Sequence, residues 1–236
     1  MFKHALWAKP STMELPGDVA PPVEFRTKTE MAYEQLRRWI VAGRLAPGQR
    51  LDQAWLATEL RVSRMPLRQA LLRLEADGLI QNEPHRSAVV ASLSLAELAD
   101  VYAARGAIES MLAEAGAARA GQTELDQMVE AIAAQDRSVA AGRLEQFVAA
   151  DRIFHFTLYR ASGYHHAVET ASRLRDLADR YIWHYVRYRS GAAQSVAEHR
   201  QILASCRHGR ADEVRHLTQL HVDQGLAVLT QLVGEG

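Results

Sequence analysis

From Thr27 onward, apolar residues recur every three or four positions in stretches separated by glycine, proline or small polar residues, the signature of amphipathic helices. The first stretch predicts a helix over Thr27–Ala42 with Met31, Leu36, Trp39 and Ile40 turned inward; Gly43 ends it and Leu45 to Gly48 form a turn. A short second helix follows Leu51 and contains Trp55, Leu56 and Leu60. The third begins after Val62. Ser63 stands at its N-cap and Pro66 in its first turn, where a missing N–H costs nothing. Leu67, Ala70, Leu71 and Leu74 form its apolar face, Arg64 and Arg68 project from another face, and Gly78 stops it. Two extended pieces, Leu79–Asn82 and Ala88–Ser92, flank a loop holding His85 and Arg86, two groups that can be cationic. Three helices and a hairpin in this order make a winged helix-turn-helix. A helix that buries one side and presents arginines near its N-terminus is shaped to enter a DNA major groove.

Past Ser92 the helical period continues to the end. Helices are predicted near Leu95–Ala120, Thr123–Ala141, Leu144–Ser162, Tyr164–Arg189, Ser195–His208 and Ala211–Val233, with breaks at Gly121, Gly142, Gly163, Ser190-Gly191 and Gly209. Long amphipathic helices with short breaks form an antiparallel bundle. The predicted fold is therefore mainly α, in three parts: a flexible tail over 1–25 with Pro10, Pro16, Pro21 and Pro22, a winged helix-turn-helix over 26–93, and an all-helical domain over 94–236.

Charge supports that division. The whole chain has a formal net charge of +0, which argues against indiscriminate nucleic-acid binding. Residues 26–93 hold 11 Lys/Arg against 7 Asp/Glu, whereas residues 94–236 hold 15 against 18. The excess of positive charge lies with the helix that carries the arginines. The single cysteine, Cys206, rules out an internal disulfide framework and suits a reducing cytoplasm. No apolar run nears the roughly 20 residues of a membrane span.

Several polar residues interrupt apolar stripes of the second domain. In Leu144–Ser162 the stripe is Leu144, Phe147, Val148, Phe154 and Leu158, and Asp151 and His155 fall inside it, four residues apart on one side. His199 lies in line with Val196, Ile202 and Leu203, and His221 with Val214, Leu217 and Val228. Three helices thus each aim a metal-capable group inward, and a buried carboxylate beside buried imidazoles is costly without a partner. The pair Asp212 and His216 has the same spacing but sits in a polar stripe, so placement, not spacing, marks the first pair. Arg105 interrupts the stripe Leu98, Val101, Ile108 and Leu112 and needs an anion. Glu109, one turn on, is one choice and a bound carboxylate another. Tyr102, Arg152, Tyr159, Arg173, Trp183 and Tyr188 are further residues that either shape a pocket or simply pack.

The first domain also resembles a known family. The segment Ile40–Leu51 with Gly43, Pro47 and Gly48, then Leu56-Ala57, then Val62–Leu71, Leu74 and Gly78–Ile80, is similar to the GntR family of bacterial transcription regulators. The helical remainder resembles the FCD effector domain of the FadR subfamily, and its length fits the VanR-like branch. The resemblance implies operator contacts from Ser63, Arg64, Met65 and Arg68, and wing contacts from His85 and Arg86. It implies a divalent metal, with Zn²⁺ or Ni²⁺ preferred, held by Asp151, His155, His199 and His221, the set in which Glu198 precedes His199. It also implies that Arg105 holds an effector carboxylate.

Together these readings predict a cytoplasmic one-component transcription regulator, a repressor. A small organic acid at a metal-containing pocket would control its binding, as a homodimer, to a pseudo-palindromic DNA operator. One alternative is a metal-responsive regulator with the ion as signal. Another is a metal-dependent hydrolase, since an Asp/His₃ ion with an open position can activate water; that reading leaves the winged domain without a purpose.

Overall fold

A computed structural model describes residues 27–82, 88–185 and 190–234. The predicted tail, the wing-tip residues His85 and Arg86, Tyr188 and the side chain of Trp183 lie outside the described residues.

The N-terminal unit opens with α1 (Lys28–Val41), fixed by a capping box: the Thr27 hydroxyl accepts from the Glu30 N–H, and the Glu30 carboxylate accepts from the Thr27 N–H at 2.7 Å. Its buried face is Ala32, Tyr33, Leu36 and Ile40. Met31, expected inward, is 55% exposed, because it lies on the far side of the helix from that face, and Trp39 is half-buried with its ring against Trp55. Helix α2 (Gln53–Glu59) is capped by Asp52, whose carboxylate accepts from the N–H groups of Ala54 and Trp55. Helix α3 (Arg64–Ala76) buries Leu67, Ala70, Leu71 and Leu74. Ser63 occupies its N-cap position but makes no capping hydrogen bond through its side chain. At the other end Gly78 takes a left-handed conformation, and the N–H groups of Gly78 and Leu79 donate to the carbonyls of Glu75 and Leu74. This paired closure needs a residue without a Cβ penalty.

Strands β1 (Ile80–Asn82) and β2 (Ala88–Val90) pair antiparallel, with Ile80 opposite Val90. Residues Gly48 to Leu51, read from the sequence as the end of a turn and a helix entry, bond to the other edge of β2: Gly48 donates to Val90, Val90 to Gln49, and Leu51 to Ala88. The core of this unit is apolar, with Leu36, Leu56, Leu67, Leu74, Leu79 and Ile80 at its centre.

The bundle comprises α4 (Leu95–Ala117), α5 (Gln122–Ala141), α6 (Leu144–Ala161), α7 (His165–Tyr185), α8 (Ser190–Arg207) and α9 (Ala211–Gly234). The predicted break at Ser190-Gly191 is instead the start of α8, five residues before the predicted start. Glycine is tolerated in a first turn, whose N–H groups lack intrahelical partners in any case. Helix α4 packs against α6, α7 and α9, and α5 against α6 and α8. Helix α4 comes close to α6 at Gly116, where an added Cβ would lie 2.0 Å from the Leu158 carbonyl oxygen. That contact draws α6, with Asp151 and His155, onto α4, with Arg105 and Glu109. Among the described residues no helix is long and apolar enough to cross a membrane.

Candidate functional site

Asp151 and His155 from α6, His199 from α8 and His221 from α9 converge inside the bundle, with one potential ligand atom from each lying within 4.8 Å of all the others. The Nε2 atoms of His155 and His199 are 3.1 Å apart, and Asp151 Oδ1 lies 3.5 Å from His199 Nε2 and 3.9 Å from His155 Nε2. Asp151, His155 and His199 are buried, while His221 is half-buried at the margin. The comparison pair Asp212 and His216 is exposed.

The surroundings fix the tautomers. His199 Nδ1 lies 2.7 Å from Gln135 Oε1 on α5, an acceptor only, so that nitrogen carries the proton. His221 Nδ1 lies 2.7 Å from a Glu198 carboxylate oxygen and donates likewise. The Tyr159 hydroxyl donates to Glu109 at 2.8 Å, which leaves its oxygen to accept from His155 Nδ1 at 3.3 Å. Each ring therefore turns its N–H outward to a polar partner and its Nε2 toward the cluster, where the Ser195 hydroxyl stands 3.5 Å from His199 Nε2. Two Nε2 lone pairs 3.1 Å apart, beside the Asp151 Oδ1 atom, form a cluster rich in acceptors, with the Ser195 hydroxyl at 3.5 Å its one long hydroxyl contact among the described residues. A cation relieves that arrangement, and outward-facing partners of this kind orient metal-binding histidines. Holding His199 this way leaves Gln135 Nε2 without a hydrogen-bond partner among the described residues.

Electrostatics agree. Burial and the neighbouring positive charges push the His155 and His199 imidazoles well below their ordinary range, toward the neutral form a ligand needs. Burial raises the Asp151 carboxyl, but the Arg175 guanidinium and the facing imidazoles more than reverse this and hold it below the usual range. Arg175 on α7 pairs directly with Asp151 Oδ2 and, at 2.7 Å, with Asp179. Sequence reasoning missed Arg175, Gln135 and the role of Glu198. Arg175 shares a helix face with Ala171, Ala178 and Ile182, and Gln135 one with Met128, Ala131 and Ile132. The same polar-in-apolar signal that marked Asp151 was thus present at both. Arg173, named instead, is exposed.

Beside the cluster opens a cavity of about 470 Å³ whose lining includes Asp151, His221, Arg105 and Arg175 with Phe147 and Leu229. Arg105 pairs with Glu109 at 2.7 Å, and its guanidinium also lies over the Tyr102 ring.

The N-terminal unit offers a different surface. Ser63, Arg64, Met65 and Arg68 are all exposed along the first turns of α3, Met65 by 67%. None of them contributes to the core, so their side chains are available to a partner.

Comparison with known proteins accords with both halves. Residues 28–90 match the bacterial regulatory proteins of the gntR family and residues 100–224 match the FCD domain. A Streptomyces ambofaciens HTH-type transcriptional regulator from an unstable DNA locus is 31% identical over 201 residues, covering 84% of this chain and 83% of its own. The Escherichia coli K12 HTH-type transcriptional repressor RspR is 26% identical over 195 residues, covering 83% and 86%. Among solved structures, E. coli McbR/YncC shares the fold with a TM-score of 0.79 at 21% identity, covering 88% of this chain and 99% of that one. The first two are HTH-type transcription regulators by name. The chain belongs to the GntR family of bacterial regulatory proteins, as a DNA-binding transcription regulator with an FCD domain.

Proposed function

We propose that this regulator is a repressor whose hold on operator DNA is set by a small organic acid bound beside a divalent metal ion in the bundle. The observation that carries the reading is the convergence of the three imidazoles, their outward nitrogens each hydrogen-bonded, with Asp151 at the wall of a 470 Å³ cavity. One carboxylate and three imidazoles suit Zn²⁺ or Ni²⁺. Such an ion would supply a Lewis-acidic anchor for an effector carboxylate, and Arg105 would divide its donors between that carboxylate and Glu109. In this reading residues 26–93 form the DNA-binding domain and 94–236 the sensing domain. Arg64 and Arg68 read base edges, Ser63 and Met65 contact the same groove, and His85 and Arg86 reach from the wing. A homodimer places two α3 helices on a pseudo-palindrome. The effector acts because its affinity differs between the DNA-competent and DNA-incompetent arrangements.

The test is a titration of chelator-stripped and Zn²⁺- or Ni²⁺-loaded protein against selected operator DNA, with and without a panel of carboxylic acids. We expect His199→Ala to lose the metal and acids to release DNA from loaded protein only. If metal alone switches binding, the ion is the signal. If no acid changes either DNA affinity or the melting temperature of the loaded protein, the effector reading fails.

A further inference from the structure

Helix α7 carries buried charges that the metal-centre reading leaves unused. Six charged side chains form an unbroken alternation from the metal centre to the DNA-binding unit. Asp151 pairs with Arg175, and Arg175 Nε donates to Asp179 Oδ1 at 2.7 Å. Asp179 Oδ2 lies 3.6 Å from Arg152 Nη1, and the same Nη1 donates to Asp176 Oδ1 at 2.8 Å. Asp176 in turn accepts from both Nε and Nη2 of Arg37, on α1. Arg175, Asp176 and Asp179 are buried, so these pairs act at low dielectric, where each is felt strongly by the next. The same helix touches the N-terminal unit in a second way, since Leu177 packs into its hydrophobic core.

We infer that this row of ion pairs is the coupling device, through which occupancy at Asp151 sets how tightly α7 holds the DNA-binding unit. The inference rests on the metal-centre reading above and adds a direction to it. Every carboxylate between the ends is shared by two guanidiniums, and every guanidinium by two carboxylates, so a gain in one pair is a loss in the next. A positive charge drawn to Asp151 Oδ1 competes with Arg175 for that carboxylate. Arg175 then leans on Asp179, Asp179 yields Arg152, Arg152 leans on Asp176, and Asp176 yields Arg37. Loading the centre therefore loosens the tie between α1 and α7. A network serving only to hold the fold would loosen with any deletion; this one has an alternating sign. Removing Asp151 loosens the far tie, whereas removing Arg152 leaves Asp176 wholly to Arg37 and tightens it.

Hydrogen exchange of α1 in the full chain reads the device directly. Chelator-stripped protein is compared with protein loaded with Zn²⁺ alone, for the natural sequence, Asp151→Asn, Arg152→Gln and Arg37→Gln. Loading is expected to speed exchange in α1 about threefold in the natural protein. Stripped Asp151→Asn shows the fast rate without metal. Arg152→Gln is slower than the natural protein and insensitive to Zn²⁺, and Arg37→Gln is fast in both states. The proposal is overturned if Arg37→Gln responds to Zn²⁺ as the natural protein does, or if Arg152→Gln exchanges faster. Calorimetric titration with Zn²⁺ judges the metal centre separately. Should Zn²⁺ not bind, the opposite signs of the stripped Asp151→Asn and Arg152→Gln proteins still decide the row of ion pairs, and circular dichroism excludes a variant that has lost its helices.

Discussion

Among residues 27–82 no charged side chain is buried; the arginines of α3 stand in solvent above a core of leucine and isoleucine. The bundle instead buries Arg105, Glu109, Asp151, Arg175, Asp176 and Asp179 along with His155 and His199. The contrast separates two ways of carrying a function. In the first unit the side chains proposed to meet DNA contribute little to the fold, so they can change without unfolding it. In the second they are part of the interior, and altering the site alters the stability of the domain that holds it. A desolvated charge is tolerated only while its partners stay in place.

The largest test of that contrast removes one buried partner. Arg175→Met leaves Asp151 and Asp179 facing each other without their shared cation, and should lower unfolding free energy by about 3–5 kcal/mol. Denaturant melts of stripped protein measure it. A loss below about 1 kcal/mol would show that the carboxylates take up protons or water at little cost, and the contrast would then be one of composition alone.

The opposite expectation holds on α3. Arg68→Ala should stay within about 0.5 kcal/mol of the parent in stability yet lose about 1–3 kcal/mol of discrimination between operator and mismatched DNA. Gel-shift titrations at fixed salt report the second quantity and thermal melts the first. Equal losses for every DNA sequence would instead make Arg68 a phosphate contact.

The same contrast explains what could be read in the sequence. The helices and the hairpin were legible because burial there follows periodicity, and Asp151, His155, His199 and His221 were legible because they violate it. Gln135 and Arg175 violate it too, but their meaning comes from partners 64 and 24 residues away, which no spacing within one helix reveals. Arg105 shows the limit from the other side. A buried guanidinium demands an anion; the sequence offers Glu109 one turn on, and the folded arrangement pairs the two at 2.7 Å. Met31 is apolar yet lies on the far side of α1 from the buried face, where Tyr33 sits with its hydroxyl reaching Asp77 at 2.6 Å.

A smaller effect gives the stability of the bundle a pH dependence. Burial pushes the Cys206 thiol of the bundle up to about 12. A group whose folded pKa is raised keeps its full contribution below the unfolded value, near 9, and loses it as pH climbs toward the folded one. Between those values unfolding releases a proton, so bundle stability should fall by about 1.4 kcal/mol per pH unit from this group. Cys206→Ala should flatten the slope by that amount in melts between pH 9 and 11, and the native thiol should resist thiol-specific reagents at pH 8. A native thiol that reacts freely at pH 8 would mean that the bundle opens there.

The smallest effect compares two N-caps within the first unit. Thr27 closes a capping box with Glu30, so Thr27→Ala should cost about 1 kcal/mol of stability. Ser63 holds the same position on α3, but its hydroxyl caps nothing. Ser63→Ala should therefore cost no more than a few tenths of a kcal/mol, while operator affinity falls because the hydroxyl, free of the helix, is available to the DNA. Chemical denaturation of the two variants side by side, followed by operator titration, separates these outcomes. If Ser63→Ala costs as much stability as Thr27→Ala, its hydroxyl is a cap in solution. The first turn of α3 would then serve folding as well as reading, and the clean division between the two units would stop short of it.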